Sequence, residues 1–250
     1  MLAMNLYTKL RYGQFNYRNA DVIELAGLIG KTPGAVAFKL VHLSRQDPEH
    51  KNRVKGLANP GRNAVEMYNA FASNWDEMLY ESEKSLAKYK NKKIEEISLE
   101  EKEQETLKHE LSGKQGHDVQ RLVKSRVNQS LFRRIILNNY SESCAICNIN
   151  LKDLLVASHI LKWAENKANR LNPQNGLCLC SLHDKAFELG YLGINRNFKI
   201  VLSPKLSAIK DQKTCQNFFL RHENQTINLP DKFYPAPEFL EEKFESAFLR

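Results

Sequence analysis

The chain has 250 residues, 42% of them hydrophobic, and 37 basic against 29 acidic residues give a formal charge of +8. No apolar run approaches the roughly 18–20 residues that span a bilayer, and Lys9 and Arg11 follow the short apolar start instead of preceding it, which is not a signal-peptide layout. A cytoplasmic protein is expected, its five cysteines argue for metal binding over a disulfide framework, and its basic balance favours a polyanionic partner.

Val22, Ile23, Leu25, Ala26 and Ile29 recur at helical spacing, with Asp21 as the expected N-cap. Gly30-Lys31-Thr32-Pro33 ends that helix and begins another, with Ala35, Val36, Phe38, Leu40 and Leu43. The pair reads as a helix-turn-helix, whose second helix lies in the major groove. Lys31, Thr32, Lys39 and His42 would then face phosphates or bases; the same pattern also fits a helical hairpin packed only for stability. Arg45 to Asn63 reads as loop, and helical patterning resumes at Ala64 and continues through Phe71 and Trp75. These features set a helical DNA-binding domain at residues 1–80.

Residues 81–116 alternate lysine and glutamate with few apolar positions, which predicts a charged linker helix stiffened by i,i+4 pairs. A second domain, residues 117–250, opens on a helix carrying Val119, Leu122, Val127, Leu131 and Ile135 together with five basic residues. Among these, Arg126 and Arg133 are candidate phosphate contacts. Further on, Gly190 to Leu202 predicts a β-hairpin around Asn195-Arg196-Asn197. The proline-rich tail ends in a packing helix, Phe239 to Phe248.

The chemistry is concentrated between Cys144 and Glu188. Cys144-x2-Cys147 and Cys180-x2-His183 are two chelating pairs that suit a closed, tetrahedral, structural zinc, with reduced core cysteines as the alternative. Cys178 alternates with Cys180 along a strand and is expected to point into the core. Cys215 stands alone as a small buried hydrophobe. Leu154 to Ile160 and Leu177 to Leu182 are strand candidates, and a helix starts near His183. Asp184 and Glu188 share one face of that helix, an arrangement suited to magnesium or manganese.

Taken together, Arg126-Val127-Asn128-Gln129, Ala157-Ser158-His159-Ile160 with Trp163, Asn172-Pro173, Asn175-Gly176-Leu177 and Leu182-His183-Asp184-Lys185-Ala186-Phe187-Glu188 resemble the HNH endonuclease family, also called ββα-metal or His-Me finger nucleases. The resemblance covers about residues 113–205. It implies an α+β chain: a helix-turn-helix-like N-terminal domain, a charged linker and a C-terminal ββα-metal nuclease domain with a structural zinc. His159 matches the general base, Asn175 the asparagine that braces the loop and orients it, and Asp184 the ligand of a catalytic divalent ion, with Glu188 where some relatives place another. Ser158 departs from the pattern, because many relatives carry Asp or His there as a ligand. His183 stands at the boundary, a zinc ligand by spacing and otherwise a ligand of the catalytic ion. The implied function is a restriction-type endonuclease acting on double-stranded DNA, with a homodimer as a further expectation. The alternatives are a methylation-dependent nuclease, a non-cutting zinc-stabilised regulator and a nuclease toxin.

Overall fold

The computed structural model describes residues 1–48, 61–164, 166, 169–209 and 212–248. They form two compact units, Met1–Ile135 and Ile136–Arg250.

The first unit contains α1 (Leu2–Lys9), α2 (Ala20–Leu28), α3 (Pro33–Ser44), α4 (Arg62–Ser73), α5 (Trp75–Lys90), α6 (Ile94–Ser98), α7 (Glu101–Leu111) and most of α8 (His117–Asn139). The expected hairpin is present as α2 and α3. Gly30 takes φ 64° at the turn, and Thr32 caps α3 by accepting from the Ala35 N–H at 3.2 Å. The cap of α2 is Asn19, whose side chain accepts from the Asp21 and Val22 N–H groups. Asp21, expected as the cap, instead lies in the first turn, where a carboxylate favours the helix dipole. Val22, Leu25, Val36, Leu40 and Leu43 are buried, while Ile23 and Phe38, which the periodicity placed in the core, are about half exposed. Most of the expected loop from Arg45 to Asn63 lies outside the described residues, and α4 begins at Arg62.

Residues 81–116 are built into this unit and are not a free-standing spacer. Glu83, Ala87, Leu99 and Leu107 are buried. Glu83 accepts from Asn5 Nδ2 at 2.8 Å and Ser98 Oγ at 3.1 Å, pairs with Lys9, and lies 3.7 Å from Arg134. A buried carboxylate is costly unless several partners meet it, and these partners come from α1, α6 and α8. Burial, only partly offset by Glu83, draws the Lys9 ammonium down to about 8. The charge pattern concealed this because apolar residues are sparse among the lysines and glutamates. Arg126 is likewise held to Glu110 through Nε at 2.8 Å and a second guanidinium nitrogen, joining α8 to α7.

In the second unit, β1 (Leu155–His159) and β2 (Gly176–Cys180) pair antiparallel, from Leu155↔Cys180 to His159↔Gly176. Helix α9 (Ser181–Glu188) starts directly after β2 and packs on both strands. All of β2 is buried, so it shows no polar alternation. The expected hairpin is β3 (Leu192–Ile194) with β4 (Ile200–Leu202). Short helices α10 (Pro204–Ser207) and α11 (Lys213–Phe218) follow. The final helix begins earlier than expected, as α12 (Pro237–Lys243), and continues as a π-helical turn, Phe244–Phe248. Proline at the first helical position accounts for the early start. Among the described residues, no helix is long and apolar enough to cross a membrane.

Candidate metal centre and hydrolytic site

The loop Cys144–Asn148 is a tight knuckle. The Asn148 N–H bonds to the Cys144 carbonyl at 3.1 Å, the Ala145 N–H bonds to the Cys178 carbonyl at 2.8 Å, and Asn148 takes φ 61°. This fastens the knuckle to β2 and turns Cys144 and Cys147 toward Cys180 and His183. The four ligand atoms lie within 4.8 Å of one another. Cys147 Sγ–Cys180 Sγ is 3.8 Å, Cys144 Sγ–His183 Nδ1 is 3.6 Å and Cys180 Sγ–His183 Nδ1 is 3.2 Å. A tetrahedron with Zn–S near 2.3 Å and Zn–N near 2.0–2.1 Å has edges of about 3.8 Å between sulfurs and about 3.6 Å from sulfur to nitrogen. The donor set and its spacing therefore fit zinc.

His183 is fully buried, and its Nε2 lies 2.7 Å from the Phe218 carbonyl. A carbonyl only accepts, so Nε2 carries the proton and the lone pair of Nδ1 is directed at the sulfurs. A hydrogen bond from the Cys180 thiol draws the Cys144 thiol well below its ordinary range, while the same bond pushes Cys180 up. Cys178 is buried and lies outside the cluster; residues two apart on a strand share a face, so strand alternation is not what separates it from Cys180. Cys215 is buried, its Sγ 3.6 Å from the Leu206 carbonyl.

His159 ends β1 and is half-buried, its ring meeting Trp163 edge-on at 5.3 Å. Nε2 lies 2.9 Å from the Arg170 carbonyl. The same reasoning places the proton on Nε2 and the lone pair on Nδ1. Burial lowers the imidazole below its ordinary value near 6.5, which keeps it neutral at physiological pH. Asn175, fully buried, holds the loop that carries these groups. Its Oδ1 accepts from the Leu161 N–H at 2.8 Å, and its Nδ2 donates to the carbonyls of Leu161 at 3.2 Å and Asn169 at 3.1 Å. Its own carbonyl accepts from the Ile160 N–H at 3.0 Å. Arg170 closes the loop from the other side, with Nε 2.8 Å from the Trp163 carbonyl and its guanidinium over the Trp163 ring.

Asp184, in the first turn of α9, is half-buried. Burial pushes its carboxyl up, a hydrogen bond from the Ser158 hydroxyl pulls it down, and the charge of Glu188 pushes it up again. Glu188 is exposed and accepts from Lys185 Nζ at 2.7 Å, which draws its carboxyl down. Among the described residues, Cys144, Cys147, Cys180 and His183 are the one such metal-ligand cluster. Asp184 and Glu188 interact electrostatically but do not form a second one.

Several contributors left no mark in the sequence. The Arg170 and Phe218 carbonyls set the two histidine tautomers, and any residue supplies a carbonyl. Ser158 reads as a poor ligand, whereas its hydroxyl is a partner of Asp184. Lys243, distant in the chain, has its ammonium 5.3 Å from the Phe187 ring centre, and its charge acts on Asp184 and Glu188.

The expected DNA-facing residues have mixed fates. Lys31 is exposed, Thr32 is engaged in capping, Lys39 and Arg133 are part-buried, and Arg126 is held by Glu110. His42 Nδ1 accepts from the Gly61 N–H at 3.2 Å, and its ring lies 4.3 Å from that of Phe38.

Residues 144–195 match a family model described as HNH endonuclease, a span that takes in the knuckle, both strands, α9 and β3. This supports an HNH nuclease domain in that part of the chain. No curated protein matches the chain.

Proposed function

We propose that the chain is a metal-dependent DNA endonuclease of restriction type, hydrolysing phosphodiester bonds with His159 as general base. The observation that carries this reading is the tautomer of His159: Nε2–H is anchored on the Arg170 carbonyl at the end of β1, so that Nδ1 can take a proton.

Asn175 acts through the loop, holding His159 and Arg170 in register. Asp184, with Glu188 beside it, offers oxygen ligands suited to magnesium or manganese, and a shared cation would relieve the repulsion between the two carboxylates. Such an ion supplies charge stabilisation at the phosphate and the leaving oxygen. Ser158 keeps the Asp184 carboxylate oriented. Zinc on Cys144, Cys147, Cys180 and His183 serves the fold, because a site with four protein ligands has no open position. The exposed face of α3 with Phe38, together with Lys31 in the turn before it, is the favoured DNA-reading surface of the first unit.

The pH dependence follows from burial. The imidazolium of His159 is the disfavoured form, so the rate of cleavage should stay level above pH 6.5 and fall only as the pH drops through a midpoint below that value. A rate-versus-pH profile with its acid limb centred above 6.5 would count against His159 as the base.

The proposal is tested by incubating the zinc-loaded protein and magnesium or manganese with matched methylated and unmethylated plasmids. Cutting of both supports the reading, and cutting of the methylated plasmid alone makes the enzyme modification-dependent. Binding without cutting of either leaves a zinc-stabilised regulator in its place.

A further inference from the structure

Of the four clustered ligands, three are sealed from solvent. Cys144 and His183 are fully buried and Cys180 is 4% exposed, whereas Cys147 is half-buried and open to small solutes. Its Sγ lies 3.8 Å from that of Cys180. The two come from different elements, Cys147 from the knuckle and Cys180 from the last position of β2. The knuckle is anchored on both sides of Cys147. The Ala145 N–H bonds to the Cys178 carbonyl at 2.8 Å, and Asn228 Nδ2 bonds to the Ala145 carbonyl at 3.1 Å and to Asn148 Oδ1 at 3.0 Å. The fold itself therefore keeps the two sulfurs in contact.

A thiol ligates a metal only as its thiolate, and thiolate character with access to solvent makes a cysteine oxidisable. Within the cluster, Cys147 alone combines the two. A sulfenic acid formed there has its resolving sulfur already beside it: Cys180 needs to approach by about 1.8 Å to reach the about 2.05 Å of a disulfide. Disulfide sulfurs carry no thiolate charge to offer a metal, so oxidation of the pair leaves Cys144 and His183, half of a four-ligand site. Cys178 and Cys215 are buried outside the cluster and take part in neither step.

We propose that Cys147 is an oxidation site, and that Cys147 and Cys180 form a redox switch that discharges the bound zinc. The oxidant is hydrogen peroxide. The Cys147 sulfur attacks one peroxide oxygen; the O–O bond breaks, and the departing hydroxide takes a proton to become water. The Cys180 sulfur then attacks Cys147 Sγ; the S–S bond forms, the S–O bond breaks, and a second hydroxide takes a proton and leaves as water. Two thiolates lose two electrons, and the peroxide gains them. Cys180 is also the N-cap of α9, the helix that carries Asp184 in its first turn, so the same step disturbs the proposed hydrolytic centre. That consequence rests on the nuclease reading; the oxidation and the release of zinc do not.

The test uses the zinc-loaded full chain carrying Cys178→Ala and Cys215→Ala, which leaves only the clustered thiols. Hydrogen peroxide is added in steps, zinc release is followed with a chromogenic chelator, and disulfides are mapped by peptide mass spectrometry. One zinc should be released for each disulfide formed, the chain should lose the mass of two hydrogens, and the crosslink should join the peptides of Cys147 and Cys180. A dithiol reductant with added zinc should restore the zinc content, which separates the disulfide from irreversible sulfinic acid. Should the substituted chain fail to fold, the same titration and mapping on the wild type read the same crosslink. Zinc retained through the titration, release with sulfinic acids and no disulfide, or a chain that holds no zinc at the outset overturns the switch. A crosslink between Cys144 and Cys147 overturns the assigned pair. Reversible zinc release from a chain that never cuts DNA would sink the nuclease reading and leave the switch standing. Zinc and cutting both intact after oxidation would sink only the switch.

Discussion

Replacing His159 by alanine is expected to slow DNA cleavage by about 10²–10⁴-fold, the usual contribution of a positioned general base. Zinc content and unfolding should stay near those of the wild type. The contacts described for His159 are peripheral to the core: one hydrogen bond to the Arg170 carbonyl and an edge contact with Trp163. Removing Asn175 should behave differently, because its buried amide makes three hydrogen bonds to the loop backbone. Asn175→Ala leaves those backbone groups unpaired, at a cost of about 1–3 kcal/mol for each buried group, so it should lose stability as well as rate. Single-turnover cleavage and thermal melting of the two variants separate the roles. Equal rates in wild type and His159→Ala would remove the base from the mechanism.

Loss of the metal should have the larger effect on folding. Structural zinc in small finger peptides contributes roughly 10–16 kcal/mol at neutral pH, which matches or exceeds the about 5–15 kcal/mol stability of a whole domain. The cluster joins the Cys144–Asn148 knuckle, the end of β2 and the first turn of α9. A strong chelator, or Cys144→Ser, should therefore unfold the second unit. Binding should also release protons, since Cys147 and Cys180 are held in the thiol form without an ion and must ionise to ligate. Metal analysis should give one zinc per chain, and near-ultraviolet circular dichroism should collapse on chelation. A protein that melts identically with and without chelator would show the cysteines to be an unliganded core cluster.

What the sequence made legible was chemistry fixed by spacing. Two x2 pairs picked out the four residues that come together as a cluster able to hold a metal ion, and i,i+4 placed Asp184 and Glu188 together on α9. The glycine turn with Thr32 and Pro33 located the start of α3. What stayed hidden depended on tertiary packing. Glu83 looks like one more solvated acid among lysines, and only the approach of Asn5, Lys9 and Ser98 makes it a buried hub. Phe38 has the periodicity of a core residue but lies on the open side of α3. Arg126 matched a basic phosphate-binding pattern, and its guanidinium instead bonds Glu110. The approach of Lys243 to the Phe187 ring was equally hidden, because chain separation gives no clue that α12 returns to α9.

The stretch from Cys144 to Glu188 is expected to hold two separate sites, divided between the adjacent residues His183 and Asp184. The direct test is zinc content and plasmid cleavage measured on the same preparations of wild type and Asp184→Asn. One zinc per chain is expected in both, with magnesium- or manganese-dependent cutting only by the wild type. Loss of zinc together with cutting in Asp184→Asn would mean one shared metal site, and undiminished cutting by Asp184→Asn would remove Asp184 from the hydrolytic centre.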